Sequence, residues 1–216
     1  MSLTVLEEYI ETGNHQDLDL LLSQNPDLVK ENTSHDISPL LLACYYHKNQ
    51  IVQVILKYIK SITIHEACAA GLEEQVQLMV EQKPDVINEL SSHGFYPLGI
   101  AAHFGKEDIV RILLRNRANP NSSSQNGYQV FPIHSALSSG QDNIAKLLIE
   151  AGAEVNVLQS SRISPLHLAA QQGNIDLIIL LLEQGAHIGI RNDLGQTASD
   201  LAAEKGFHEI AEILKA

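Results

Sequence analysis

Ten histidines, two cysteines and 26 carboxylates are the groups in this 216-residue chain that chemistry would draw on. Histidines one helical turn apart bind zinc as His-Glu-x-x-His, but His65-Glu66 has no second histidine. Zinc takes about four ligands in a tetrahedron. The set to check is His35, His47, His93 and His103, which the spacing directs toward one face. Cys44 and Cys68 each follow an alanine at equivalent positions. Neighbouring helices pack roughly 8–10 Å apart, wider than the Cα separation of about 7 Å that a disulfide tolerates. Both cysteines therefore read as small buried residues. A thiol nucleophile needs an activating base, and His65, three residues before Cys68, is the available one. Glu73-Glu74 and Glu107-Asp108 fall where second helices start and complement the helix dipole there. The glycines recur once per repeat and form no phosphate loop. No catalytic constellation emerges, and no cofactor or metal is implied.

Composition narrows the classes further. Lys and Arg number 14, giving a net charge of −12. Such a surface repels nucleic acid and anionic membranes. No apolar run approaches the roughly 18 residues that cross a bilayer. The N-terminus carries glutamates where a secretory signal has a basic region. Two cysteines without Cys-x-x-Cys argue against a disulfide scaffold. The expectation is a soluble, cytoplasmic protein. Hydrophobic residues make up 44% of the chain, but only ten are aromatic and none is tryptophan. A core of Leu, Ile, Val and Ala suits closely stacked helices.

The elements that hold these residues come from an internal repeat. SPLLLA, ITIHEA, YPLGIA, FPIHSA, SPLHLA and TASDLA end on Ala43, Ala67, Ala101, Ala136, Ala169 and Ala202, at spacings of 24, 34, 35, 33 and 33. A glycine follows four residues later in each unit except the first of these, where His47 stands. Gly13 bears the same relation to Tyr9, which makes seven units. Each unit reads as a short helix opened by Pro or a turn residue, a glycine stop, and a second helix with apolar residues at helical spacing. Leu177, Ile178, Leu181 and Leu182 show that spacing. A turn-forming stretch then leads on. No unit buries its apolar side alone, so stacking supplies the core. Polar residues in the first and last units read as caps, which predicts a solenoid complete at both ends.

The motif resembles the ankyrin repeat, Thr-Pro-Leu-His-x-Ala in a unit of about 33 residues. Ser164 to Ala169 matches best, and the resemblance covers essentially the whole chain. With Asn-Pro-Asp at 25–27 and Lys-Pro-Asp at 83–85, it is similar to bacterial stand-alone ankyrin proteins. The resemblance implies an all-α solenoid of about seven helix pairs with short hairpin fingers. It would form a single domain over 1–216, with units at 1–32, 33–60, 61–90, 91–124, 125–158, 159–191 and 192–216. It also implies that His65, His134 and His167 bond the hydroxyl at the motif's start and nearby backbone. Known members mostly bind other proteins on the concave face lined by first helices and fingers.

Two departures from the repeat shape that face. The 24-residue step is about ten residues short, with a second helix at Gln50 to Lys60 running almost directly into Ile62. One finger should therefore be missing between units two and three. The 35-residue step should lengthen the finger around Tyr128 by two residues and leave its tip mobile. The groove positions are then Tyr45, Tyr46, His103, Phe104, Ser138, Gln171 and Gln172, with His93, Phe95, Tyr128 and Arg162 on the fingers. The alanines of unit three leave floor space for a partner side chain. The expected function is non-catalytic binding of a protein or peptide of basic character by a monomer. The competing reading is a small-molecule or metal sensor, or an enzyme, with its site at the notch around units two to four.

Overall fold

Proline or a hydroxyl cap sets the start of every inner helix after the first. Proline fixes φ and lacks the N–H that has no partner in a first turn. Ser38, Thr63, Ser164 and Thr197 accept a bond from the backbone N–H three residues on. In the computed structural model, which describes residues 2–215, the inner helices are α1 (Ser2–Thr12), α3 (Pro39–Tyr45), α5 (Ile64–Ala70), α7 (Pro97–His103), α9 (Pro132–Ser138), α11 (Pro165–Gln172) and α13 (Ala198–Glu204). The outer helices alternate with them: α2 (His15–Gln24), α4 (Asn49–Leu56), α6 (Glu73–Gln82), α8 (Glu107–Arg115), α10 (Asp142–Glu150), α12 (Ile175–Glu183) and α14 (His208–Ile213). Helices of six to eleven residues are marginal alone, so packing between units holds them. The chain is an all-helical solenoid of seven pairs.

The motif alanines sit at the centre of that packing. Ala43, Ala67, Ala101, Ala136, Ala169 and Ala202 are all fully buried. Each also closes its helix, its carbonyl accepting from the N–H five residues on, as Lys48 N–H to Ala43 (3.0 Å) and Lys106 N–H to Ala101 (2.9 Å). The step needs left-handed backbone one residue earlier. Gly71, Gly105, Gly140, Gly173 and Gly206 supply it, and His47 adopts it too, at φ 53°. The unit without glycine thus keeps the repeat's geometry at the strain of a non-glycine residue.

Fingers lie at 33–37, 91–95, 124–130, 159–163 and 192–196, each closed by a bond from its first N–H to its last carbonyl (2.9–3.1 Å). They are turns and not stranded hairpins; among the described residues the one bridge pairs Gln159 with Ile163. The turn at 124–130 is two residues longer than the rest, as the repeat spacing predicts. Between α4 and α5 only residues 57–63 intervene, and no finger forms. The second helix stops at Leu56, short of the expected Lys60. Beyond it Lys57 and Tyr58 turn to Asp19 of α2, Nζ to Oδ2 at 2.9 Å and Oη to Oδ1 at 2.8 Å.

The last four fingers are joined in series by backbone bonds: Gln125 N–H to Gly94 O (2.7 Å), Ser160 N–H to Tyr128 O (2.9 Å) and Asp193 N–H to Ser161 O (3.1 Å). The buried core divides at the same place. Leu6, Ile10, Leu18, Leu22, Leu40, Ile51 and Ile55 belong to one cluster. A second runs from Ile64 to Leu214. Ile62 and Ile100 pack against both.

Candidate functional site

The three motif histidines tie helices to the segments that follow them. One ring nitrogen of each reaches a backbone carbonyl: His134 Nε2 to Ile163 O (2.9 Å) and His167 Nε2 to Gln196 O (3.2 Å) in the next unit, and His65 Nε2 to Glu89 O (2.9 Å) at the end of its own. The expected bond to a hydroxyl at the motif's start forms only at His167, whose Nδ1 meets Ser164 Oγ at 2.7 Å. In the other two units that position is Ile62 or Phe131, which carries no hydroxyl. His134 Nδ1 is left without a partner. Burial holds all three below the usual imidazole range, His134 down to about 4. These rings are neutral structural links.

The concave side over units two to four is built differently. Tyr45 ends α3 and Phe104 caps α7, two units away. Their rings meet edge to face at 4.9 Å, with His103 completing the group at 5.7 Å from Tyr45 and 4.9 Å from Phe104. The contact skips a unit because α5 between them ends in Ala69 and Ala70, and because no finger stands beside it. The floor space expected over those alanines is therefore partly roofed by the chain's own aromatics. Aromatic pairs of this geometry add about 0.5–1.5 kcal/mol beyond area.

Beside the rings lies a cleft of ≈ 490 Å³. Leu41 and Ile100, one helical turn before Tyr45 and Phe104, form its floor. Ile37 and Phe95 close it from the two flanking fingers, and Val130 and Ser138 lie at its far end. His103 Nδ1 lies 2.8 Å from Ser139 Oγ, and burial lowers its pKa, with the His47 imidazole adding to the effect. Burial raises the Tyr45 phenol. The cleft is thus apolar and neutral, with a few polar groups at its edge.

Of the residues singled out from sequence, Tyr45, His93, Phe95, His103, Phe104 and Ser138 share this cleft. Tyr46 lies outside it, donating its hydroxyl to Glu11 of α1 at 3.1 Å. Tyr128 stands on the long finger, 64% exposed. Arg162 donates Nε to Arg191 O (3.2 Å), and Gln172 donates its amide to Leu137 O. Gln171 is half-buried on α11, and neither glutamine lines the cleft. Leu41 and Ile100 went unread, although their four-residue spacing to Tyr45 and Phe104 marks them as the same helix face.

Among the described residues no group of three or more His, Cys, Asp or Glu side chains could hold a metal ion, so His35, His47, His93 and His103 do not form a ligand set. Cys44 and Cys68 are buried free thiols. Burial raises Cys44 to about 12 and Cys68 higher still, which leaves no reactive thiolate.

A family model described as ankyrin repeats (3 copies) matches residues 64–159 and 153–216. An ankyrin repeat-containing protein of Schizosaccharomyces pombe is 41% identical over 58 residues, 27% of this chain and 27% of that protein. An ankyrin repeat and SAM domain-containing protein of Rattus norvegicus is 35% identical over 98 residues, 45% of this chain and 11% of that protein. A regulatory subunit of protein phosphatase 1, also of Rattus norvegicus, is 33% identical over 99 residues, 46% of this chain and 9% of that protein. The chain therefore spans about a quarter or less of the length of these relatives. No helix of the described residues is long and apolar enough to cross a membrane.

Proposed function

The chain belongs to the ankyrin-repeat family, and on that premise we propose that it is a non-catalytic, monomeric, cytoplasmic scaffold that binds a protein or peptide in its concave groove. One observation carries the reading. The aromatic cleft between α3 and α7 is the groove's apolar recess, and Tyr45 at its mouth is 49% exposed. A rigid recess of this kind takes an anchoring side chain with little entropy lost on the receiving side. Tyr45, His93, Phe95, His103, Phe104 and Ser138 form the anchor site. Tyr46, Tyr128, Arg162, Gln171 and Gln172 are the rim along which the rest of the partner runs. The acidic balance favours a basic partner and faster association at low salt.

Affinity capture followed by mass spectrometry tests this, with the wild type compared to Tyr45→Ala plus Phe104→Ala. The double variant should lose a partner about tenfold or more, since one interface hot spot is worth ~2 kcal/mol. Equal recovery of every partner sinks the reading. The size of the cleft also favours a small apolar ligand. Calorimetry with indole compounds separates that case: saturable heat that vanishes in the double variant supports it, and its absence removes it.

A further inference from the structure

The missing finger leaves more than a gap. In the intact part of the row, the second residue of each finger donates its N–H to the finger before it, as Gln125, Ser160 and Asp193 do. Ser92 is the second residue of the finger at 91–95, and its N–H has no partner among the described residues. On the other side of the gap, Asp36 is the fourth residue of the finger at 33–37. Gly94 is the fourth of the next, and both are left-handed, at φ 57° and φ 72°. Gly94 O accepts the bond from Gln125, whereas Asp36 O accepts none. Ser34, the first finger's own donor, is satisfied by the Glu7 carboxylate, which also takes Ser34 Oγ at 2.9 Å. The row is therefore capped at its start and open in its middle, with one donor and one acceptor left over.

The space between them is lined for an occupant. A chamber of ≈ 580 Å³ lies under the gap and shares Ile37, Leu41, Ser91 and Ser92 with the aromatic cleft, so the two are continuous. Its charged side chains are Asp36, Glu66, Glu89 and Lys83, and Lys83 is paired with Glu89. Asp36 and Glu66 remain as uncompensated negative charge. The surrounding sequence has the same sign: the first 90 residues hold 14 of the 26 acids but 5 of the 14 bases.

We propose that this slot receives a basic, turn-forming segment of a partner protein, which completes the finger row. The segment accepts from Ser92 N–H, donates to Asp36 O, sets a Lys or Arg against Asp36 and Glu66, and lays an apolar side chain over Leu41 toward Phe104. This rests on the groove reading and specifies the partner for it.

The probe is a head-to-tail cyclic peptide, Lys-Trp-Asn-Gly-Arg-Leu, whose Asn-Gly favours a tight turn. The chain has no tryptophan, so the fluorescence is the peptide's alone. Its emission should shift to the blue saturably on wild type. Asp36→Asn plus Glu66→Gln, which keeps the hydrogen bonds, should weaken binding about tenfold and flatten its salt dependence. A copy of residues 187–196 inserted between Lys60 and Ser61 restores a 34-residue step and should abolish binding, with circular dichroism reporting that the chain folds. Undiminished binding to the inserted chain overturns the proposal, as does no shift on wild type. Sedimentation of wild type as a dimer without peptide also overturns it, because a second copy then fills the slot. If Tyr45→Ala plus Phe104→Ala loses its captured partner while the inserted chain still binds peptide, the slot fails and the groove stands.

Discussion

The two units before the notch and the five after it use the same fold and are held together by different means. From unit four onward, neighbours are linked finger to finger through backbone bonds, by the His134 and His167 rings to the next unit's carbonyls, and at the far end by asparagines. Asn121 and Asn156 each donate to the glycine carbonyl that precedes the next unit's turn (3.0 and 2.9 Å) and accept from the backbone beyond it (2.7 and 2.8 Å). Before the notch these links are replaced by side-chain contacts: Glu7 to Ser34, Glu11 to Tyr46, and Asp19 to Lys57 and Tyr58. At the boundary α4 makes almost no contact with α6, as α12 makes almost none with α14 at the far end; with no finger bond either, α3 against α5 and the aromatic clasp carry the join. In a nearest-neighbour solenoid each interface adds its own term to stability, so a weak interface is where cooperative unfolding divides. The chain should behave as two blocks.

Core truncation gives the largest test of that division. Leu22 and Leu148 are both fully buried, one in each block. Either alanine variant should lose about 2–5 kcal/mol. Leu22→Ala should unfold the first two units ahead of the rest, so that hydrogen exchange rises there while units four to seven stay protected. Leu148→Ala should release the second block. One concerted transition in both variants would show a single cooperative unit.

Acid is a milder probe and should act on one block. His134 folds with a pKa near 4 against an ordinary 6.5. The unfolded chain then binds the proton first, so its contribution is complete above pH 6.5 and is lost as pH falls toward 4. That is on the order of 3 kcal/mol across the window. His65 and His167 shift in the same direction. These three histidines lie after the notch, whereas the carboxylates Asp19 and Asp27, held down by Lys57 and Lys30, act only below about pH 4. Denaturant titrations at pH 7 and pH 5 should show the second block weakened and the first unmoved. His134→Gln should flatten the difference, and a loss shared equally by the two blocks would contradict the assignment.

The clasp gives the smallest effect. A double-mutant cycle on Tyr45→Ala and Phe104→Ala should return a coupling of about 0.5–1.5 kcal/mol. Coupling near zero would mean that the rings touch without joining the blocks.

Much of this division was legible before any coordinates. The short step from Ala43 to Ala67 located the missing finger, because turn residues and repeat length leave nowhere else for it. The long step located the finger at 124–130. The motif alanines marked the packing centre. What escaped was contact between units that are not neighbours. Repeat arithmetic placed Tyr45 and Phe104 in the groove but treated them as separate offerings, since side-chain reach across α5 depends on what α5 lacks. Tyr46 stands outside the cleft because Glu11 draws it back toward α1, a pairing no spacing rule encodes. Of the two bonds the motif implies for its histidines, the one to backbone forms at all three, whereas the one to a hydroxyl needs Ser164 and forms only there.

The short third unit has one more effect. A uniform array offers a guest many equivalent frames, each shifted by one module, and so cannot fix which end of the guest lies where. A single irregular module removes that degeneracy. It marks an origin along the array from which a guest's position and polarity are measured.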